Sequence, residues 1–336
     1  MTRRGLILFA ALAIAWGIPY LFIKIAVGEL EPAMVVLARS ALAAVLLLPL
    51  AFFRREVLSV LRRWRPMLAY TIAEIILPWY FLSSAEQRLP SSTAGLLLAT
   101  VPLAGVAIAF AMGRPERLSR TNWLGIGFGM LGVAALVGLD VAGSDLIAVA
   151  EMAVVVVGYA LGPAILARWM SDLPGVGVVA VSLAITAVVY VPFVLLTGAW
   201  PTAWPSTAVV VSIVVLAVVC SALAFLLMVG LIAEIGPVKS TTITYVNPAV
   251  AIIAGVVVLG ERVTVWTVVG FLLVLAGSYL VTRRRQEPPV ATLGDTAGAQ
   301  VWAEQQSPAH GTAAVHGTAA VPGTAEQEAA VRKAAE

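Results

Sequence analysis

The order of apolar and polar positions along the chain predicts ten membrane-spanning helices. Apolar runs of about 20 residues, the length that crosses a bilayer as a helix, alternate with short breaks that contain charges, proline or glycine. Such continuous runs favour helices over a β-barrel, whose strands alternate over about 10 residues. The predicted spans cover residues 5–27, 32–53, 66–84, 90–111, 121–139, 146–169, 174–197, 206–230, 237–259 and 264–282.

The composition agrees with an all-α polytopic membrane protein. Of the 336 residues, 61% are hydrophobic and only 12% are charged, whereas soluble domains are roughly 25% charged. So few charges cannot cover the surface of a soluble domain, which excludes an ordinary soluble enzyme. Residues 283–336 are instead rich in Pro, Gly, Ala and Thr, with a near-repeat around His310 and His316. That composition predicts a disordered tail.

The distribution of basic residues predicts the orientation. With the N-terminus inside, fifteen Lys and Arg residues fall on the inner side, and only Arg88 and Arg262 fall in outer loops. This asymmetry fits the positive-inside rule. We therefore expect a multi-pass protein of the cytoplasmic (inner) membrane with both termini and the tail in the cytoplasm. The same asymmetry explains the net charge of +3 without a nucleic-acid partner.

The two halves of the chain resemble each other. The segment around Pro102 is followed by Glu116-Arg117, and the segment around Pro248 is followed by Glu261-Arg262, with an offset of 146–148 residues over most of the stretch. The repeat contains five helices, an odd number, so the second copy enters the membrane from the opposite side. Inverted repeats are typical of secondary transporters. We predict a first five-helix repeat, an inverted second repeat and a tail at residues 1–139, 140–282 and 283–336.

These features resemble a known family. Trp16-Gly17 and Lys24 in the first span, Pro32 and Arg39 in the second, and the repeated Pro…Glu-Arg motif are similar to the EamA family of the drug/metabolite transporter superfamily. The resemblance covers about residues 5–282, and Arg114-Pro115 departs from the motif. It implies a ten-helix secondary active transporter that works by alternating access. The implied substrates are amino acids or amphipathic drug-like metabolites, and the implied direction is export.

Charged residues inside the spans are costly, which makes them functional candidates. Arg39 lies roughly 10 Å below the outer edge and Glu74 roughly 12 Å from the inner edge, at 1.5 Å per residue. In one interpretation they face a central site where Arg39 attracts a carboxylate substrate and Glu74 exchanges protons. In the other, an Arg39–Glu74 pair only joins the second and third spans. Lys24 either belongs to the site or snorkels to the interface.

Aromatic and amide side chains complete the candidate substrate-binding set. Side chains with an apolar body and a polar tip suit a wall that grips amphipathic metabolites, although each could also serve helix packing. We expect kinks or hinges at Pro102 and Pro248, because proline frees a carbonyl one turn earlier. The further candidates are Trp16, Tyr20, Tyr159, Tyr245 and Asn247.

The sequence lacks the motifs that metal, redox or ATP-dependent chemistry would need within the spans. No histidine lies in a span, the only cysteine is Cys220, and there is no Gly-x-x-x-x-Gly-Lys-Ser/Thr loop for ATP. We therefore expect no enzyme activity, metal or cofactor. A passive channel or a structural membrane protein remains the alternative to a coupled transporter. The expected partners are a small-molecule substrate and the lipid bilayer, with a homodimer as an open alternative.

Overall fold

The computed structural model describes residues 2–111, 120–136, 146–236, 240 and 242–282, and in this part the chain is helical throughout apart from turns. Seven segments are long and apolar enough to cross a membrane, and shorter helices occupy the remaining predicted positions. The predicted tail lies outside the described residues. The segments are span 1, Arg3–Ala26; span 2, Pro32–Phe53; span 3, Trp64–Glu86; span 4, Ser91–Leu98 and Val101–Ala111; span 5, Arg120–Ala135; span 6, Leu146–Trp169; span 7, Gly175–Thr197; span 8, Thr207–Ile235; span 9, Ile243–Leu259; and span 10, Val265–Thr282.

The helices differ from the predicted ones mainly at the end of span 8 and by one additional short helix. Span 8 runs on from the predicted residue 230 to Ile235, and it ends at Gly236, a residue of the predicted break whose φ of +82° suits glycine. A short helix, Val57–Leu61, lies between spans 2 and 3, where the sequence was assigned only to a charged break. Most other ends agree within three residues.

Proline interrupts two of the spans. Span 1 consists of the helices Arg3–Gly17 and Pro19–Ala26, since Pro19 has no N–H to continue the ladder. Span 4 is interrupted at Ala99 and Thr100, before Pro102. The Ser278 hydroxyl of span 10 donates to the Ala99 carbonyl at 2.7 Å, and so satisfies a carbonyl at the interruption. Pro248 lies inside the continuous helix Ile243–Leu259.

Two π-helical segments occupy equivalent positions in the two halves. They are Ile72–Ile76 in span 3 and Val218–Leu223 in span 8. Their starts differ by 146 residues, which is the offset between the two sequence halves. Such π turns are rare and occur frequently at functional sites. Both halves therefore place the same backbone irregularity at the same point of the fold.

The main contacts between the spans follow the symmetry of the repeat: each stays the same, or has a counterpart, when the two halves are exchanged. Equivalent helices pack on each other in three pairs: spans 2 and 7, spans 4 and 9, and spans 5 and 10. Span 3 packs on span 6, and the counterpart pair, spans 8 and 1, also packs together. Each half contributes five helical segments, so each functional side chain can be compared with a counterpart about 147 residues away.

Candidate functional site

A single cation lies at the point where spans 2, 3 and 8 meet. Arg39 of span 2 is 6% exposed. Its guanidinium carbon stands 3.5 Å from the centroid of the Trp79 ring of span 3, and its Nε donates a hydrogen bond to the Ser221 hydroxyl of span 8 at 3.2 Å. Within the described residues, no carboxylate forms an ion pair with Arg39 and no acceptor binds its two terminal amino groups. The two terminal amino groups of the planar guanidinium form a fork, and this fork matches the two oxygens of a carboxylate.

Two tyrosines complete the surroundings of this cation. Tyr20 of span 1 and Tyr159 of span 6 lie within electrostatic range of the guanidinium. Tyr20 is buried, and its ring packs on span 4, where a β-carbon at Gly95 would stand 3.3 Å from Cδ2. We call Tyr20, Arg39, Trp79, Tyr159 and Ser221 the Arg39 cluster. Its members come from both repeats, and it combines one charge with amphipathic rings.

Glu74 lies apart from Arg39. It sits in the π segment of span 3 and faces span 6, where a β-carbon on Gly162 would collide with its Oε2. That oxygen is buried without a hydrogen-bond partner among the described residues. The structure does not form an Arg39–Glu74 pair, because the guanidinium is turned to Trp79 and Ser221 while the carboxylate is turned to span 6. The sequence predicts how deep Arg39 and Glu74 lie in the membrane, but not towards which neighbouring helix each side chain points.

The other predicted site residues are spread over three regions. Lys24 does not reach the cluster by hydrogen bonding: its ammonium donates to the main-chain oxygens of Glu86 at 2.6 Å and Leu89 at 2.9 Å. Trp16 packs edge-on against Phe225 of span 8, with ring centroids 5.9 Å apart. The structure therefore brings together Tyr20, Arg39 and Tyr159, and it uses Lys24 and Trp16 in contacts between spans.

Tyr245 and Asn247 lie on span 9, near the proline of that helix. The Tyr245 hydroxyl donates to the Ser278 carbonyl of span 10 at 3.2 Å. Asn247 lies beside span 1, where a β-carbon on Gly17 would stand 3.2 Å from the main-chain carbonyl oxygen of Asn247. Its side-chain oxygen is buried without a hydrogen-bond partner in the described residues. The side-chain oxygen of Asn247 is therefore unsatisfied within the described residues, whereas Tyr245 contacts span 10.

Three residues of the buried polar interior were missed by the sequence analysis. Trp79 has no polar signature in an apolar span. Ser221 stands 147 residues after Glu74, within the 146–148 offset of the repeat, so the repeat could have drawn attention to this part of span 8. Glu86 was assigned to the break after span 3, yet it has no exposed surface. Its position beside Arg88 masked it, because a charged neighbour at a turn normally indicates a solvated segment.

Two carboxylates outside the spans cap helices. Glu261 follows span 9 and accepts hydrogen bonds from the main-chain N–H groups of Ser91 at 2.7 Å and Ser92 at 2.9 Å, the first residues of span 4. Burial raises the pKa of Glu261, but these hydrogen bonds outweigh it and leave the pKa below its usual value. The exposed Glu29 accepts from the Ser206 N–H at 2.8 Å, and hydrogen bonding to Ser206 lowers its pKa.

An all-helical bundle with seven long apolar spans, two similar halves and a buried cation among aromatic rings fits a multi-pass membrane transporter. The model of the EamA-like transporter family matches residues 3–138 and 146–283, and the chain belongs to this family.

Related proteins agree with this assignment. The uncharacterized inner membrane transporter YedA of Escherichia coli K12 is 29% identical over 293 residues, which cover 83% of this chain and 93% of YedA. The uncharacterized transporter YvbV of Bacillus subtilis is 24% identical over 299 residues, covering 87% and 96%. A solved crystal structure has the same fold, with a TM-score of 0.61 and 20% identity over 84% of this chain and 99% of the other. The protein is therefore a multi-pass inner-membrane transporter.

Proposed function

We propose that the protein is a secondary active transporter that exports small amphipathic metabolites, such as amino acids or drug-like acids, by alternating access. The observation that carries this proposal is the Arg39 fork. Its terminal amino groups have no acceptor in the described residues, while its face is stacked on Trp79. A buried cation that the protein leaves without an anionic partner is costly. A substrate carboxylate would supply that partner.

The substrate class follows from the side chains around the fork. Trp79, Tyr20 and Tyr159 offer apolar ring surface with polar tips. Such a wall favours a molecule with an anionic group at one end and an apolar body at the other. Amino acids with apolar side chains and amphipathic carboxylic acids have this shape.

The two repeats provide the means of alternating access. In an inverted-repeat transporter, exchanging the conformations of the two halves converts an inward-open state into an outward-open one. Here Tyr20, Arg39 and Trp79 come from one half, whereas Tyr159 and Ser221 come from the other. Relative motion of the halves would therefore take the cluster apart on one side at a time. The equivalent π segments of spans 3 and 8 support such motion, since each locally replaces the regular helix ladder.

Glu74 is the proposed proton-exchange group for turnover. It lies in one of these π segments, and its buried Oε2 has no hydrogen-bond partner in the described residues. A charge there is costly without a partner, so proton uptake would ease the sliding of span 3 on the Gly162 surface of span 6. Proton movement down its gradient would thereby drive export.

Reconstituted vesicles test the transport mode. The purified chain in liposomes is first screened by thermal shift over a metabolite library, since a ligand at about 100 times its Kd stabilises the folded state by about 2.7 kcal/mol. A stabilising compound is then used radiolabelled. We expect saturable uptake that accelerates when unlabelled compound is inside. Linear flux without this acceleration would favour a channel, and no flux would favour a structural protein. Vesicles with Arg39→Gln serve as the control.

The orientation is tested by cysteine labelling in cells. We expect a membrane-impermeant thiol reagent to modify Ala203→Cys from outside but not Ser59→Cys. The native Cys220 is 2% exposed, so the unmodified chain provides a low background. The reverse labelling pattern would overturn the proposed cytoplasmic termini and, with them, the orientation of the two repeats.

A further inference from the structure

The end of span 3 buries a carboxylate that the Arg39 cluster does not use. Glu86 has no exposed surface, and neither of its carboxylate oxygens has a hydrogen-bond partner among the described residues. Such a group is strongly disfavoured as an anion and far less as a neutral acid. A buried carboxylate without hydrogen-bond partners therefore requires either a nearby cation or a bound proton to neutralise its charge.

Lys24 lies beside Glu86, but its hydrogen bonds go elsewhere. The ammonium of Lys24 donates to the main-chain oxygens of Glu86 and Leu89, at 2.6 and 2.9 Å. Carbonyls at the end of a helix have no partner within the helix, so a lysine is well placed to cap them. In this arrangement Lys24 closes the turn after span 3 and does not form an ion pair with the Glu86 carboxylate.

Glu261 supplies the negative charge that balances Lys24. Its two oxygens are held by the N–H groups of Ser91 and Ser92 at the start of span 4, where a helix favours an anion. Glu261 therefore stays ionised, and it lies within electrostatic range of Lys24. One cation and one stable anion already sum to zero. A second negative charge on Glu86 would be left with Arg39, whose guanidinium donates to Ser221 and forms no ion pair with Glu86 in the described residues.

We propose that Glu86 is a proton-binding site, and that it holds its proton in the conformation described here. The proton sits on a carboxylate oxygen of Glu86. It leaves as H⁺ when spans 1 and 3 rearrange, so that the Lys24 ammonium releases the two carbonyls and meets the carboxylate. The site lies at the turn between spans 3 and 4, and it is separate from Glu74 in the π segment.

The groups that face Glu86 set the conditions for release. From neighbouring elements these are Tyr20 and Lys24 of span 1, Arg39 of span 2, Tyr159 of span 6 and Glu261 after span 9. The tyrosines are neutral, so the charge of Arg39 is the one that a substrate can change. An anion bound at Arg39 would remove a favourable charge and hold the proton on Glu86. This link to substrate rests on the proposed function, whereas proton binding itself does not.

Infrared spectroscopy of the purified full-length chain tests the proposal directly. A protonated carboxyl group absorbs at a higher C=O frequency than a carboxylate. We expect the spectrum of wild type minus Glu86→Gln at neutral pH to contain the acid band. Glu86→Asp, which keeps a titratable group, should retain the band. Glu234→Gln is the matched control, because Glu234 is the repeat counterpart of Glu86, and the Thr2 hydroxyl donates to its carboxylate at 2.5 Å.

Thermal unfolding gives a second, independent readout. From about pH 4.3 upward the wild type should lose melting temperature, because the folded state keeps a proton on Glu86 that the unfolded state releases. Glu86→Gln cannot ionise and should lose less, while Glu234→Gln should follow the wild type. A carboxylate band in place of the acid band, or identical pH slopes for all three proteins, would overturn the proposal. Neither measurement involves transport, so failure here leaves the vesicle assay to judge the proposed function.

Discussion

The two π segments have the same backbone irregularity but carry different polar side chains. The segment in span 3 carries Glu74, a carboxylate whose Oε2 has no hydrogen-bond partner in the described residues. The segment in span 8 carries Ser221, which donates to the Leu216 carbonyl at 2.8 Å and accepts from Arg39. The backbone irregularity is shared, but the polar side chains that the two segments carry differ. The repeat therefore preserves the position of the π segment, whereas each half carries its own polar side chain in that segment.

The neighbours of the two segments differ in the same way. Span 3 meets the small residues of span 6, where Gly158 and Gly162 allow close approach. A β-carbon on Gly158 would collide with the carbonyl of Ala73, and one on Gly162 with the Glu74 carboxylate. Span 8 instead meets Arg39 of span 2 through a single hydrogen bond. We infer that the first half carries a tight seam with a proton-exchange group, and the second half a contact to the substrate-binding cation.

The largest effect is expected from removing the cation that the span 8 segment supports. Arg39→Gln should weaken transport of carboxylate substrates by at least about thirtyfold, because losing one partner of a buried hydrogen-bonded charge pair costs about 2–5 kcal/mol. Stability should not fall in parallel. The variant loses a stacking contact of about 2 kcal/mol, but it is relieved of an unpaired buried charge. Transport in vesicles and melting temperature, measured on the same preparation, separate the two effects.

The control for that prediction is Arg54→Gln, which removes an exposed arginine just after span 2. It should transport like the wild type. If Arg39→Gln transports normally, or if it fails only because it melts much earlier than the wild type, Arg39 is a structural residue and the substrate site lies elsewhere.

The second largest effect is expected at the seam of the span 3 segment. Gly162→Ala should lower the free energy of unfolding by about 1–3 kcal/mol, the usual cost of overpacking, because the new methyl group would collide with Glu74. Gly127→Ala is the matched control, since a β-carbon on this exposed glycine of span 5 meets nothing within 4 Å. It should stay within about 0.5 kcal/mol of the wild type.

A double variant sharpens the result. Glu74→Ala combined with Gly162→Ala should recover part of the lost melting temperature, because the shortened side chain leaves room for the methyl group. Equal losses in the single and the double variant would mean that Glu74 does not occupy the space opposite Gly162.

The third prediction concerns titration in the span 3 segment. Glu74→Gln should flatten the pH dependence of the maximal transport rate while the protein still folds, because the amide keeps the shape of the side chain but cannot exchange a proton. Initial rates over a range of pH at saturating substrate give the profile. Ser221→Ala changes the polar side chain of the span 8 segment and should keep the wild-type profile. A wild-type profile in Glu74→Gln at normal expression would remove Glu74 from proton coupling.

Much of this architecture could be predicted from the sequence, since its signals are local. Continuous apolar runs mark the spans, and the recurrence of Pro102 and Pro248 before similar Glu-Arg pairs marks the repeat. The site was predicted less completely. A π turn depends on i→i+5 bonding, which leaves no simple sequence pattern. Glu86 is buried beside Lys24, which is 62 residues away in the sequence, so its local neighbours do not reveal its surroundings. The stacking of Arg39 on Trp79 depends on the rotation of two helices about their axes, which depth along a span does not fix.

The smallest effect is expected at the contact that distinguishes the span 8 segment. Ser221→Ala removes the oxygen that accepts from Arg39, and it also removes the bond to Leu216 within the helix. Hydrogen bonds between membrane helices average about 0.6 kcal/mol, so we expect the affinity for a carboxylate substrate to fall by about threefold. Ser212→Ala on the same span is the matched control, because its hydroxyl donates to the Ala208 carbonyl at 2.7 Å but does not touch Arg39. If the two variants lose affinity equally, the Ser221–Arg39 bond does not orient the fork, and the span 8 segment acts through its backbone alone. If only Ser221→Ala loses affinity, with an unchanged maximal rate, the two π segments are separated by function: one holds the substrate-binding cation and the other sets the rate of exchange.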